Sequence, residues 1–332
     1  PHTAAPSGEA FRRNIEHFDR VCRVVNGVKG MVVGAIGART TAFKTVRIDE
    51  VALQRHGITM ETLDLSEIIA RMASLSTGDG EYTAKAAVLK AYTSWKGVPD
   101  RAFEGIVRLG VVLDRVVAEH GMHAIALRCW VELQTQLGIS PCVLLGEMND
   151  RGVTAACEVD VGNAVAMRAL SLASGEPATC LDWNNNYGDE EEKCILFHCG
   201  PVPSALMEPG GHIVDHAILA NSVGPGCAFG CNQGRIRPGA MSFGSLMTDA
   251  GRLRFYLGRG RFTADAIPRE YFGCAGVAEI PGLQDVLLRA GRDGHRHHVS
   301  VTPGSVVEPV REALGCYLGC DVAVPQDERA PA

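Results

Sequence analysis

No stretch of this chain is apolar for long enough to cross a bilayer. The longest apolar run, Ile106–Leu113, is broken by Arg108 and Gly110, whereas a spanning helix needs about 20 residues. A basic excess is also missing. Lys and Arg number 32 against 38 Asp and Glu, a net charge of -6, so neither a membrane nor a nucleic acid is expected as a partner. No apolar run follows a basic start, so no secretory signal is read, and a reduced, cytoplasmic setting is expected. Cys227-x3-Cys231 and Cys316-x3-Cys320 lack a CxxC partner pair, which argues against a zinc ribbon. Gly34-Ala35-Ile36-Gly37 is not a dinucleotide fingerprint, since the G-x-G-x-x-G spacing is absent, and no nicotinamide cofactor is inferred. There is no internal repeat and no low-complexity tract.

The sequence does contain a large apolar fraction, 46% of 332 residues, enough for a sizeable core and two domains of ordinary size. Twelve cysteines are present. Several, such as Cys129, Cys157, Cys180 and Cys194, sit in strand-like apolar runs and read as buried reduced thiols.

Residues 1–30 read as a linker, Pro1–Gly8, followed by a helix over Ala10–Val25. Phe11, Ile15, Phe18, Val21 and Val25 form one face of that helix, and the face needs a cover. Residues 31–175 alternate between strand and helix. Strands are expected at Met31–Ile36, Thr59–Leu65, His123–Leu127 and Thr154–Cys157. Helices are expected at Thr45–Arg55, from Glu67 behind a cap at Asp64 or Ser66, and at Glu81–Trp95, Asp100–His120, Val131–Leu137 and Val159–Ser174. The pattern predicts a Rossmann-like, doubly wound α/β domain with a parallel sheet. From residue 176 to 332 glycine and proline punctuate short strands at Ala178–Leu181, Cys194–His198, Ile213–Ala220, Gly251–Leu257 and His298–Val301, with one returning helix at Ser305–Tyr317. This half reads as a β-rich, barrel-like domain.

Ligands of open α/β sheets bind beyond the carboxyl ends of the strands. Thr154–Cys157 runs into Glu158, with Asp160 two residues on. Either acid could equally be a helix cap, and Asp160 is read as a charge complementing the helix dipole. Ala178–Leu181 runs into Asp182, followed by Trp183, Asn184, Asn185 and Asn186. An aromatic face and amides that both donate and accept suit a polyhydroxylated ligand. His212 and His216 fall in a strand-like run, where a shared metal is not expected. The cluster His295-x-His297-His298 suits either a metal or a solvated loop. Two carboxylates with one imidazole favour manganese or magnesium over a closed zinc site.

The segment Ala156-Cys157-Glu158-Val159-Asp160-Val161-Gly162-Asn163 resembles the acidic segment of L-fucose and L-arabinose isomerases. Thr179-Cys180-Leu181-Asp182 follows at that family's spacing (182 − 158 = 24), and His297-His298 through Pro303-Gly304 is similar to its carboxyl-terminal histidine segment. Cys129-Trp130 and Phe197-His198-Cys199-Gly200 add weaker matches. The resemblance implies an aldose–ketose isomerase working on a free sugar such as L-fucose or L-arabinose. Glu158 and Asp182 would be catalytic. Glu158, Asp182 and His298 would hold Mn2+ or another divalent cation, with His297 as the substitute for His298. Trp183, Asn185 and Asn186 would contact the sugar. It also implies a homo-oligomer, and a further α/β domain that the chain lacks. A sugar-binding protein without catalysis, and a sugar-acid or sulfo-sugar isomerase on the same scaffold, are the alternatives.

Overall fold

The computed structural model describes residues 3–268 and 271–328; Pro1 and His2 of the expected linker lie outside them. Strands β1 (Val32–Ile36), β2 (Thr59–Leu63), β3 (Ala124–Leu127) and β4 (Thr154–Cys157) form one parallel sheet in the order β2-β1-β3-β4. Its two faces are chemically unequal. Val33, Ala35, Ala124, Ala126 and Ala156 face the core that includes helix Val161–Ser174. Ile36, Ile125, Leu127, Ala155 and Cys157 face helices Leu65–Ser74, Asp100–Glu119 and Cys142–Asp150. Side chains alternate across a strand, and the small residues fall on the face where the buried 161–174 helix sits. The doubly wound expectation therefore describes this sheet.

The second half is built on a closed barrel. Strands β5 (Thr179–Asn186), β6 (Lys193–His198), β9 (Gly239–Asp249), β10 (Arg252–Phe262), β11 (Cys274–Glu279) and β12 (His298–Pro303) pair antiparallel around the ring β10-β9-β12-β5-β6-β11. A short pairing of β11 back to β10 closes it, through Arg261 opposite Glu279 and Phe262 opposite Ala278. Closure removes the unpaired strand edges of an open sheet. β7 (His212–Asp215) and β8 (Phe229–Arg235) extend from β11, and β13 (Asp321–Ala323) lies parallel to β10. One side of the barrel wall contributes Leu181, Trp183, Leu196, Phe243, Tyr256, Val299 and Val301 to a single apolar core. Opposite parity directs His298 and Ser300 of β12 to the N-terminal end of the 161–174 helix, where Ser300 Oγ donates to Asn163 Oδ1 at 2.9 Å.

Several elements differ from the sequence expectation. Residues 213–220 are not one strand: β7 ends at Asp215, and Ala217–Val223 is a helix whose first turn His216 caps through Nδ1. Helices Cys142–Asp150 and Leu283–Asp293 were not anticipated. The first is buried almost throughout and shows no polar face. The second carries Gly291 and a charged surface. β9 was missed because it is rich in small residues, yet Gly244 is required there: a Cβ would meet Phe255 and the Tyr256 carbonyl at 2.5 Å.

The first helix runs Glu9–Val28. It packs its C-terminal half, Val21, Val24 and Val28, against helix 161–174 and the segment 307–317. Phe11, Ile15 and Phe18 remain exposed, so only half of the apolar stripe is covered. No helix of the described residues is long and apolar enough to cross a membrane.

Candidate functional site

The end of β4 turns sharply. Glu158 and Val159 both adopt left-handed backbone, φ 60° and 57°. For a β-branched residue this costs on the order of 1–3 kcal/mol and persists only where packing over-determines it. The turn aims Glu158 away from the sheet and toward the barrel. Asp182 in β5 lies directly opposite His298 in β12, so these two side chains leave the barrel wall on the same face.

The three groups converge. His298 Nε2 is 3.3 Å from Glu158 Oε2 and 3.6 Å from Asp182 Oδ1. His297 Nε2 joins them, 3.8 Å from Glu158 Oε2 and 3.7 Å from Asp182 Oδ1. Adjacent residues of a strand would face opposite ways, but His297 precedes β12, and its carbonyl accepts from Trp183 N. Both rings are held by their other nitrogen. His298 Nδ1 bonds Asp160 Oδ2 at 2.8 Å, and His297 Nδ1 bonds Thr45 Oγ1 at 2.8 Å. An imidazole fixed at Nδ1 by an outer partner presents Nε2 as a ligand.

Asp160 caps its helix as expected and has a second role. It is fully buried and caps helix 161–174 by accepting from Asn163 N at 3.0 Å. Its other contacts are the Arg296 guanidinium and the His298 ring. Gly162 makes room for Arg296, since a Cβ there would sit 1.8 Å from Nη1. Asp160 is therefore an orienting group behind His298. Burial pushes its carboxyl up, but the Arg296 charge and the His298 bond prevail and hold its pKa at about 2. Burial likewise opposes ionisation of Glu158, and the His297 and His298 rings outweigh it, so its pKa also falls to about 2. His298 is raised well above the usual histidine range, with Cys180, Asp160 and Glu158 overcoming the burial of the ring.

A further histidine borders the site. His198 ends β6, is buried, and lies with its ring 5.5 Å from that of His298. Its Nδ1 accepts from Cys199 N, leaving Nε2 without a partner. Sequence reasoning placed it at a strand end but gave it no role. From His297 a run of ring contacts continues through Phe43, Trp130, His216 and Phe272 to Phe197, which lies beside Asp182 across the β5–β6 pair. Among the described residues, the buried side-chain atoms lacking any hydrogen bond include Trp130 Nε1, Glu158 Oε2, His198 Nε2, His216 Nε2 and His298 Nε2. An unpaired buried polar atom costs about 1–3 kcal/mol, and a concentration of them marks where a ligand would supply partners.

The polar segment after Asp182 behaves otherwise. Trp183 has the parity of Leu181 and turns to the barrel core, with Nε1 donating to Tyr256 Oη at 3.1 Å and its ring edge-on to Phe243. The structure therefore does not bring Trp183 to the acids. Asn185 and Asn186 are exposed beyond a bulge in β5. Asn184 accepts from Tyr271 Oη. A separate cavity of about 550 Å3, lined by Lys85, Asp114, Glu147 and Arg151, lies in the α/β domain away from these groups, and its charges pair with one another.

Residues 196–325, which carry His198, His297 and His298, match the family described as L-fucose isomerase, C-terminal domain. A sulfoquinovose isomerase from Clostridium sp. (strain MSTE9) is 29% identical over 231 residues, 68% of this chain and 51% of that protein. The alignment to the sulfoquinovose isomerase of Priestia aryabhattai extends over 96% of the chain at 21% identity. The carboxyl-terminal part of the chain is thus similar to that of L-fucose isomerases, and the chain as a whole to sulfoquinovose isomerases. The chain spans about half the length of the Clostridium relative and 70% of the Priestia one. It carries the α/β domain before the barrel, with the acids Glu158 and Asp182 contributed one from each.

Proposed function

We propose that the chain works as a metal-dependent aldose–ketose isomerase, and that its substrate is a sulfonated aldose rather than L-fucose or L-arabinose. The observation that carries the isomerase reading is the approach of His298 to both Glu158 and Asp182 across the domain junction, with Glu158 Oε2 and His298 Nε2 buried and in no hydrogen bond. The names of the relatives, all sulfoquinovose isomerases, favour the sulfo-sugar.

Separations of 3.3–3.8 Å from the two imidazole nitrogens to the two carboxylates, with Glu158, His297 and His298 mutually close, suit ligands of one hard ion with bonds near 2.1 Å. Oxygen and imidazole donors fit Mn2+ or Mg2+. Glu158, Asp182 and His298 would hold it, with His297 and His198 in reach. Such an ion supplies positive charge beside the two sugar oxygens where negative charge develops.

The chain's own groups then move the proton. One carboxylate takes it from C2 of the open-chain sugar, and an acid returns it to C1. Glu158 and Asp182 come from different domains and can flank a sugar edge laid between them. Asp160 and Thr45 fix the imidazoles that border it, and the rings of Phe43 and Trp130 offer apolar surface to sugar C–H groups.

A product assay on sulfoquinovose, L-fucose and L-arabinose, with the protein chelated and then resupplied with Mn2+, tests this. Ketose formation from sulfoquinovose that depends on the added ion is the expected result. Sugar binding without turnover under every metal condition would favour the non-catalytic alternative, and turnover of the unsulfonated sugars alone would overturn the substrate.

A further inference from the structure

Two polar rings meet across the same domain junction as the acids. Trp130 follows β3 and leads into helix Glu132–Leu137. His216 follows β7 and leads into helix Ala217–Val223. The two helices pack on each other, and the two rings meet edge to face with centroids 6.1 Å apart. Trp130 Nε1 and His216 Nε2 are both buried and in no hydrogen bond among the described residues. An indole nitrogen only donates. His216 Nδ1 accepts from Leu219 N at 3.3 Å, which leaves the ring proton on Nε2. The pair therefore offers two donors and no acceptor.

The loop beyond β1 adds positive charge. Residues 38–47 carry Arg39, Lys44 and Arg47 and no acid, in a chain of net charge -6. None of these three has a carboxylate partner among the described residues. The loop is tied to the site at two points. Phe43 stacks on His297 and stands edge-on to Trp130, and Thr45 holds His297 Nδ1. Arg39 is half-buried. Its Nη1 donates to the carbonyls of Thr40, Thr41 and Phe43, which positions the guanidinium without neutralising it. Thr40 Oγ1 beside it is buried and in no hydrogen bond.

A sugar hydroxyl both donates and accepts, so a site built of donors alone leaves its proton unmatched. A sulfonate only accepts, through three oxygens, and is always charged. Donors without acceptors, next to a cation without a counter-ion, fit that group. We propose that Trp130 Nε1, His216 Nε2 and the Arg39 guanidinium form the subsite that holds the sulfonate of the substrate. The subsite rests on the sulfo-aldose reading above and extends it to the far end of the sugar. With C1 and C2 between Glu158 and Asp182, the carbon chain lies along Phe43, which bridges His297 and Trp130, and the sulfonate reaches the donor pair. An unsulfonated sugar leaves both N–H groups unpaired and Arg39 uncompensated, and is rejected on that account.

The test is calorimetric binding of three alditols to the full chain with Mn2+ present. They are made by reducing the carbonyl of sulfoquinovose, D-glucose and glucose 6-phosphate, so none can isomerise. The wild type should bind the sulfonated alditol most tightly. Trp130→Phe keeps the ring and loses the N–H, His216→Asn keeps the cap acceptor and loses the Nε2 donor, and Arg39→Gln removes the charge. Each should weaken the sulfonated alditol by about 10–100-fold, the value of a hydrogen bond to a charged group, and leave glucitol binding unchanged. If a ring variant does not fold, Arg39→Gln in its loop decides, together with a loss of the wild-type preference as ionic strength rises. Equal binding of the sulfonated alditol and glucitol, an equal loss for both in the variants, an unchanged preference in the variants, or tighter binding of the phosphate would overturn the subsite. The preference intact in a chain that isomerises no sulfoquinovose would overturn the isomerase reading and uphold the subsite.

Discussion

His298 stands directly opposite Asp182 on the β5–β12 pair, with Nε2 3.6 Å from Oδ1. Two of the three proposed ligands thus share one rigid rung of a closed barrel. The third, Glu158, arrives on a strained turn from the other domain. Asp182→Asn keeps the shape and removes the charge, so Mn2+ affinity and turnover should fall together, turnover by about 10²–10³-fold, the usual cost of a lost electrostatic group. Glu158→Gln should behave likewise. Calorimetric Mn2+ titration beside a ketose assay checks this. Full turnover in either variant would remove that carboxylate from the chemistry.

Asp160→Asn gives a different signature. The amide still fits the cap, but Arg296 loses its buried counter-charge and His298 loses its anchor. Stability should drop by about 3–5 kcal/mol, and metal affinity by about 10–100-fold. Urea unfolding and Mn2+ titration measure the two separately. An unchanged unfolding midpoint would show that the Arg296 pair contributes nothing net.

Trp183→Phe separates the barrel core from the site. The variant keeps the ring edge-on to Phe243 and loses the bond to Tyr256, at a cost of about 1 kcal/mol. Sugar affinity should be unaltered. A large rise in KM with normal stability would return Trp183 to the substrate.

Thiol reactivity follows burial. Cys316 is exposed, and Cys22 and Cys227 are half-buried. Burial pushes the Cys194 and Cys274 thiols up to about 12, so neither supplies thiolate, the reactive form, at neutral pH. Alkylation of the native chain at pH 7.5 followed by peptide mapping should label Cys316 first, and Cys194 and Cys274 only after unfolding. Equal labelling of Cys274 and Cys316 would contradict this packing.

What the sequence made legible follows from what periodicity encodes. Strand β4 was readable to its last residue because Thr154–Cys157 is apolar and ends at an acid, and Glu158 followed from strand-end logic. The β5–β12 register was not readable, since it is set by long-range pairing. The fold that brings His198 and His216 near the site was hidden for the same reason. Asp160 was read correctly as a helix-start charge, but helix position does not reveal the Arg296 and His298 brought to it from more than a hundred residues away. Trp183 was misjudged where parity could have helped: it alternates with Asp182 and shares the side of Leu181, an apolar residue.

The barrel's closure has a consequence for its motions. β9 and β10 pair through eleven residue partners, whereas β10 and β11 meet through two. The lowest-energy opening of the cylinder is at that seam. Amide exchange should therefore be fast at Thr263, whose N–H donates to the Val277 carbonyl across the seam, while Leu181 and Val299 remain protected. The wall can breathe on one side while the opposite side, with Asp182 and His298, keeps its geometry.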